Sequence, residues 1–163
     1  IVVLGEGTRY TIENAIFDPL LILLTMIKED PVSTKKILSL NKVIRFLDIP
    51  ITPIDCLQAG SNRIVHLTLN TPSSKVHATE KVKYLGGLEL DIATKYLQLP
   101  KTELLRNLFS NIEFLKKFGS PDELMDHIVS KIFSEYPLYI PSVITDAFSE
   151  ILNDTLKIDP QKI

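Results

Sequence analysis

Metal-dependent phosphoryl chemistry needs several carboxylates gathered at one point, so the acidic residues are the first to place. The chain carries 20 of them, and their positions suggest other duties. Asp18, Asp55, Asp122 and Glu123 each stand at the start of a predicted helix. A carboxylate there accepts from unpaired backbone N–H groups and meets the positive end of the helix dipole. Glu89, Asp91, Glu103 and Glu113 read as solvated helix faces. No metal site and no cofactor is expected.

Nucleophilic chemistry fares no better. His66, His77 and His127 lie far apart without ligand spacing. His66 falls in a predicted strand, His77 in a loop and His127 on a helix, and each reads as an ordinary surface or half-buried histidine. Cys56, the single cysteine, has no CxxC partner and sits on an apolar helical face, so it reads as a small buried hydrophobe. A cysteine–histidine nucleophile finds no support in the spacing. Gly5-Glu6-Gly7 and Gly86-Gly87 lack the patterns that cradle phosphate and fit turns better. Gly86-Gly87 precedes a predicted helix, so an anion is the ligand it could take. The chain is expected to contain no catalytic residues.

Basic residues form local groups. Lys35-Lys36 and the pair Lys42 and Arg45 fall on predicted helices, and Lys75, Lys81 and Lys83 fall in or beside a predicted hairpin tip. These seven are the candidate nucleic-acid contacts, through salt-sensitive attraction to phosphate. Solubilising lysines are the plain alternative. Net charge is −2, so no global field draws the chain to nucleic acid.

The elements that must position these groups follow from pattern. Ile1-Val2-Val3-Leu4 and Thr8-Arg9-Tyr10-Thr11-Ile12 flank glycines and predict a hairpin. An isolated hairpin is barely stable in water. Ile1, Val2, Val3, Leu4, Tyr10 and Ile12 are therefore the candidate subunit interface, completing a sheet with a partner chain. Asp18-Pro19 opens a helix that is apolar nearly all round through Ile27, and Glu29-Asp30-Pro31 stops it. A helix capped by Ser33 or Thr34, another over Val43–Leu47, and a third opened by Thr52-Pro53 and closed at Gly60 are expected next. Arg63–Leu69 alternates like a strand and is expected to pair with Lys81–Leu85 across the polar loop Asn70–Thr79. After Gly86-Gly87 the chain reads as helical, with Leu88, Ile92, Tyr96 and Leu99 on one face. Gly119 reads as a C-cap, Ser120-Pro121 opens a helix, Tyr136-Pro137 breaks it, and Pro141 opens the last.

The composition, 45% hydrophobic and 23% charged over 163 residues, is that of a globular chain. One cysteine excludes an internal disulfide framework and points to a reducing compartment. Nothing reads as a signal peptide. The longest apolar run, Leu20–Leu24, falls far short of the roughly 20 residues a membrane-spanning helix needs. The expected fold class is α+β, predominantly α. Residues 1–14 form the hairpin, 15–99 a winged-helix-like domain of three to four helices plus a β-hairpin, and 100–163 a helical extension packing on it.

The order of these pieces resembles the non-catalytic, B-type member of the eukaryotic heterotrimeric type 2 ribonuclease H. Four stretches carry the resemblance. They are a strand–turn–strand running into Ala15-Ile16-Phe17-Asp18-Pro19 and an aliphatic helix; Val82-Lys83-Tyr84-Leu85; the aliphatic helix end Ile128–Phe133; and Ser134-Glu135-Tyr136-Pro137-Leu138-Tyr139-Ile140-Pro141. The chain departs from the family in two respects. Most of the N-terminal part that builds an interlocked barrel with the other accessory chain of the trimer is missing. Lys157–Ile163 does not match the family's sliding-clamp peptide. The resemblance implies a non-catalytic scaffold in the nucleus. Its partners would be the catalytic chain and the second accessory chain of the same ribonuclease, with RNA–DNA hybrid or duplex DNA contact through the winged helix. The metal-binding catalytic residues would belong to the catalytic chain. A stand-alone winged-helix DNA-binding regulator is the second reading, and a small hydrolase around Cys56 the third.

Overall fold

The structure, a computed structural model, describes residues 3–4 and 10–146, with side-chain surroundings from residue 14 onward. The chain is mostly helical, with two short antiparallel strand pairs. The first pair joins β1 (Val3–Leu4) to β2 (Tyr10–Thr11) in the register Val3↔Thr11 and Leu4↔Tyr10. The predicted hairpin is present in these residues, but the second strand stops one residue early. Ile12 already belongs to helix α1 (Ile12–Ile16). Ile1, Val2 and the Gly5-Glu6-Gly7 turn lie outside the described residues.

Helix α2 (Pro19–Glu29) is the centre of the molecule, and every residue from Pro19 to Ile27 is buried. A helix apolar on all faces cannot meet water on any of them, so the other described elements pack around it. The Asp18 carboxylate accepts from Leu20 N at 2.8 Å, capping α2 as predicted. Asp30 ends α2 and also caps α3 (Pro31–Leu38), accepting from Ser33 N at 3.0 Å. The sequence places that cap on Ser33 or Thr34; the carboxylate wins because Pro31 at N1 sets Asp30 as the entry point.

The next stretch departs most from expectation. The predicted helix over Val43–Leu47 is a 3₁₀ segment at Phe46–Ile51. The predicted helix ending at Gly60 and the predicted strand Arg63–Leu69 are one helix, α4 (Ile54–Leu69). Its buried residues include Leu57, Gly60, Ser61, Ile64, Val65 and Thr68, a helical period. Two polar residues on that face disguise the period. Thr68 is satisfied locally, its hydroxyl donating to Ile64 O at 2.7 Å. Gly60 is a packing residue, not a terminus. A Cβ there would lie 2.8 Å from Leu23 Cδ2, so its absence lets α4 lie close against α2.

The second strand pair is β3 (Thr79–Lys83) with β4 (Glu89–Ala93). The partner of β3 is therefore the stretch just after Gly86-Gly87, whose apolar spacing predicts helix. Leu88–Ile92 alternates, with Glu89 and Asp91 exposed and Leu90 and Ile92 buried, which is the strand period. Gly87, at φ +94°, makes the hairpin turn. The turn leads into a strand, so the helix start that could take an anion there is absent.

The chain then forms α5 (Thr94–Leu97), α6 (Lys101–Asn111), a 3₁₀ segment at Glu113–Phe118 and α7 (Pro121–His127). Gly119, at φ +91°, ends the 3₁₀ segment, and the Ser120 side chain caps α7, both as predicted. Helix α7 passes into a π-helical turn at Ile128–Ile132, and Pro137–Tyr139 forms a 3₁₀ turn after the break at Tyr136. Leu104, Leu108, Leu115, Leu124, Ile128 and Ile132 join the same buried cluster as α2. No helix of the described residues is long and apolar enough to cross a membrane.

Candidate nucleic-acid interface and the frame behind it

The frame starts at Asp18. Its buried carboxylate caps α2 and also accepts from the Tyr84 hydroxyl at 2.8 Å. Tyr96, on α5, donates to Phe17 O at 2.7 Å. Burial, then the Asp18 charge, holds both phenols well above their ordinary range, so they stay neutral donors. Directly after Tyr84, the Leu85 N–H donates to Ile140 O at 3.0 Å and the Gly86 N–H to Leu138 O at 2.8 Å. Tyr84 and Pro141 form an isolated antiparallel bridge, so residues 138–141 run beside the hairpin as a short third rung. Gly86 is required by that approach, since a Cβ would stand 2.8 Å from Leu138 Cβ. Tyr136 in turn donates its hydroxyl to Phe46 O, tying this segment to the 3₁₀ stretch. Asp18-Pro19, Val82–Leu85 and Tyr136–Pro141, remote in sequence, thus meet at one end of α2.

The hairpin is fixed to α4 from the other side. The Gln58 amide donates to Asp91 O at 2.8 Å and accepts from Asp91 N at 2.9 Å, occupying the free edge of β4. That edge would otherwise expose unpaired backbone.

The seven candidate cations do not share one environment. Lys35 and Lys36 sit on α3 as predicted. Lys42 and Arg45 do not sit on a helix; they lie in the segment between α3 and the 3₁₀ stretch. Three of the seven face carboxylates: Arg45 with Asp48 at 3.0 Å, Lys81 with Asp91 at 3.2 Å and Lys83 with Glu89 at 3.9 Å. The last two pairs are set by the β3–β4 register, which places these residues directly opposite each other. Lys35, Lys36, Lys42 and Lys75 make no ion pair among the described residues.

The exposed face of α4 carries Asp55, Ala59 and Asn62, and its basic residue is Arg63, whose Nε donates to Leu38 O at 3.3 Å. Beside it runs a furrow of about 370 Å³ lined by Lys42, Cys56, Asn62, Arg63 and His66 among others. Cys56 and His66 both reach this furrow but are ten residues apart on one helix, roughly 15 Å along its axis, too far for a nucleophile and its base.

Two of the three histidines, expected to stand apart, come together. Asn70 ends α4 in the left-handed conformation, at φ 54°. This folds Thr71 back so that its N–H donates to His66 O at 2.9 Å. A turn closed by Lys75 N to Pro72 O at 2.9 Å then returns the chain to His77. Thr71 Oγ1 lies 3.0 Å from His66 Nδ1 and 3.1 Å from His77 Nε2, and the ring centroids are 5.1 Å apart. Desolvation lowers the affinity of both rings for a proton. The charge of His77 adds to the effect on His66, and those of Lys95 and Lys75 to the effect on His77. The signal for this cluster is Asn70 as a left-handed helix cap, hidden where 63–69 reads as strand. His127 packs against Phe118 at 4.9 Å, and burial lowers its proton affinity too. No group of three or more His, Cys, Asp or Glu residues close enough to hold a metal occurs among the described residues.

Comparison of the chain with models of protein families, with curated proteins and with solved structures finds no match.

Proposed function

We propose that the chain is a non-catalytic scaffold of a type 2 ribonuclease H complex, the nuclear assembly that degrades RNA in RNA–DNA hybrids and acts at ribonucleotides embedded in DNA. In this reading α2, α3 and α4 with the β3–β4 hairpin are a winged helix, and α4 holds the position of the recognition helix. The observation that carries the reading is the meeting of Asp18, Tyr84 and residues 138–141 at one end of α2. Three of the four stretches on which the resemblance rests are joined there by direct hydrogen bonds. They therefore act as one structural unit, and a shared unit is harder to meet by chance than separate short motifs. The β1–β2 pair supplies the edge that a partner's sheet would extend.

The stand-alone DNA-binding regulator is the weaker reading. Arg45, Lys81 and Lys83 are already paired with carboxylates, and the exposed start of α4 carries Asp55. Co-expression with the catalytic chain and the second accessory chain of such a ribonuclease tests the proposal. The protein should co-elute with both, and alone should leave a ribonucleotide-containing duplex intact. Separate elution while the other two assemble, or hydrolysis by this chain alone, would overturn it.

A further inference from the structure

The His66–Thr71–His77 cluster does something that neither a scaffold nor a wing needs. A threonine hydroxyl has one proton to donate. Facing two imidazole nitrogens, it satisfies both by donating to one ring and accepting an N–H from the other, an arrangement that fits two neutral rings. The two outer nitrogens, His66 Nε2 and His77 Nδ1, are then unlike: one carries a proton and the other does not. Uptake of a single proton turns the bare one into a donor. The pair then presents two outer N–H groups and one positive charge.

Both rings line a cavity of about 280 Å³ with Asn62, Ser73, Ser74 and Lys75. Every group in that set is able to donate a hydrogen bond. The charged neighbours are of one sign as well. Arg63 on α4, Lys75 on the loop and Lys95 on α5 bear on the rings, and no carboxylate does. From β3 the cavity receives Thr79, while Glu80 points to the opposite face by strand alternation; on β4, Asp91 shares the face of Ala93 but is paired with Lys81 at 3.2 Å. The one carboxylate on α4, Asp55, is eleven residues from His66, roughly 16 Å along the axis. In a chain of net charge −2 this is a local concentration of donors and cations.

We propose that this cavity binds a phosphate group, free or as a phosphodiester of a nucleic-acid strand, with His66 and His77 taking up one proton as the anion enters. The site is independent of the ribonuclease reading, because it depends on the two rings and Lys75 and on no partner chain. Binding couples to proton uptake, so affinity rises as pH falls through the histidine range and fades above it. A phosphodiester does not titrate in that range, so the pH dependence of its binding reports the rings.

The experiment follows the imidazole ring signals of the full chain by NMR, with chloride holding ionic strength constant. One arm adds sodium phosphate and the other a short RNA–DNA hybrid, each at several pH values. The His66 and His77 signals should move together and saturate, with tighter binding at lower pH for the hybrid. Saturation by both probes assigns a general phosphate site; saturation by the hybrid alone assigns a strand phosphodiester. His77→Gln should weaken binding by about tenfold, the worth of one charge-assisted hydrogen bond. Lys75→Gln, on an exposed loop where no fold depends on it, should weaken it in the same direction. Lys131→Gln, in the π-helical turn and outside both the cavity and the candidate contacts, should not. Saturation by neither probe, or unchanged affinity in both His77→Gln and Lys75→Gln, would overturn the proposal.

Discussion

At the start of α2 the polar groups are dry and fixed; at the end of α4 they are half open to water and share a proton. The first end holds a buried carboxylate between a backbone N–H and a phenol, with no ambiguity about who donates. The second holds two imidazoles against one hydroxyl, and which ring donates depends on the tautomer. Low dielectric makes the first arrangement rigid, because a buried group without its partner is costly. Water nearby makes the second adjustable, because either protonation state can be solvated. A scaffold needs the first kind of site, and a ligand-responsive surface the second.

The largest effect should come from breaking the dry end. Asp18→Ala removes a helix cap and strands the Tyr84 hydroxyl in the core, a loss of about 3 kcal/mol. Urea denaturation followed by circular dichroism measures it, and a loss below about 1 kcal/mol would mean that the frame does not depend on Asp18. Alkali attacks the same end without mutation. Burial raises the Tyr84 and Tyr96 phenols well above the ordinary range. The stability they confer is whole below the unfolded value near pH 10 and is lost as pH climbs through the folded values. Their tyrosinate absorbance should therefore appear together with loss of helical signal. Ionisation of every tyrosine ahead of unfolding would contradict this.

Smaller effects belong to the open end. Asn70→Ala keeps a Cβ in the left-handed conformation but removes the side-chain amide that eases it, for about 1 kcal/mol. Its sharper consequence is local: the His66 and His77 ring signals should lose their mutual dependence while the α2 core stays intact. Smallest of all is Lys81→Gln. Its ion pair with Asp91 is largely exposed, so stability should change by no more than about 0.5 kcal/mol. A larger loss would show that the hairpin relies on its charge pairs more than on the Gln58 clasp.

How far the sequence can be read differs between the same two regions. The Asp18-Pro19 start, the buried stretch Pro19–Ile27 of α2, the Ser120-Pro121 start and the break at Tyr136 are all legible, because a cap, an N1 proline and a nearly unbroken apolar run act within a few residues. The stretch from 54 to 93 misleads in both directions. Ser61, Thr68 and Gly60 on the buried face of α4 hide a helical period, and Leu88–Ile92 suggests a helical one in spite of its alternation. Gly60 illustrates the cause. A glycine near an expected helix end is a natural C-cap, and only the neighbouring Leu23 on α2 reveals that the missing side chain makes room for packing.

The sequence alone determined that α2 must be central, since a helix apolar nearly all round cannot be hidden by anything less than a surrounding shell. It also determined where that helix starts and stops, through the short-range chemistry of Asp18, Pro19 and Asp30. Only the tertiary structure decided that Tyr84 completes the Asp18 cap and that residues 138–141 close over Gly86. Only it could bring His77 onto the hydroxyl that His66 already holds. Those contacts join residues far apart in the chain or turn on the conformation of one residue, Asn70. No local pattern encodes a distance that many other residues must cooperate to set.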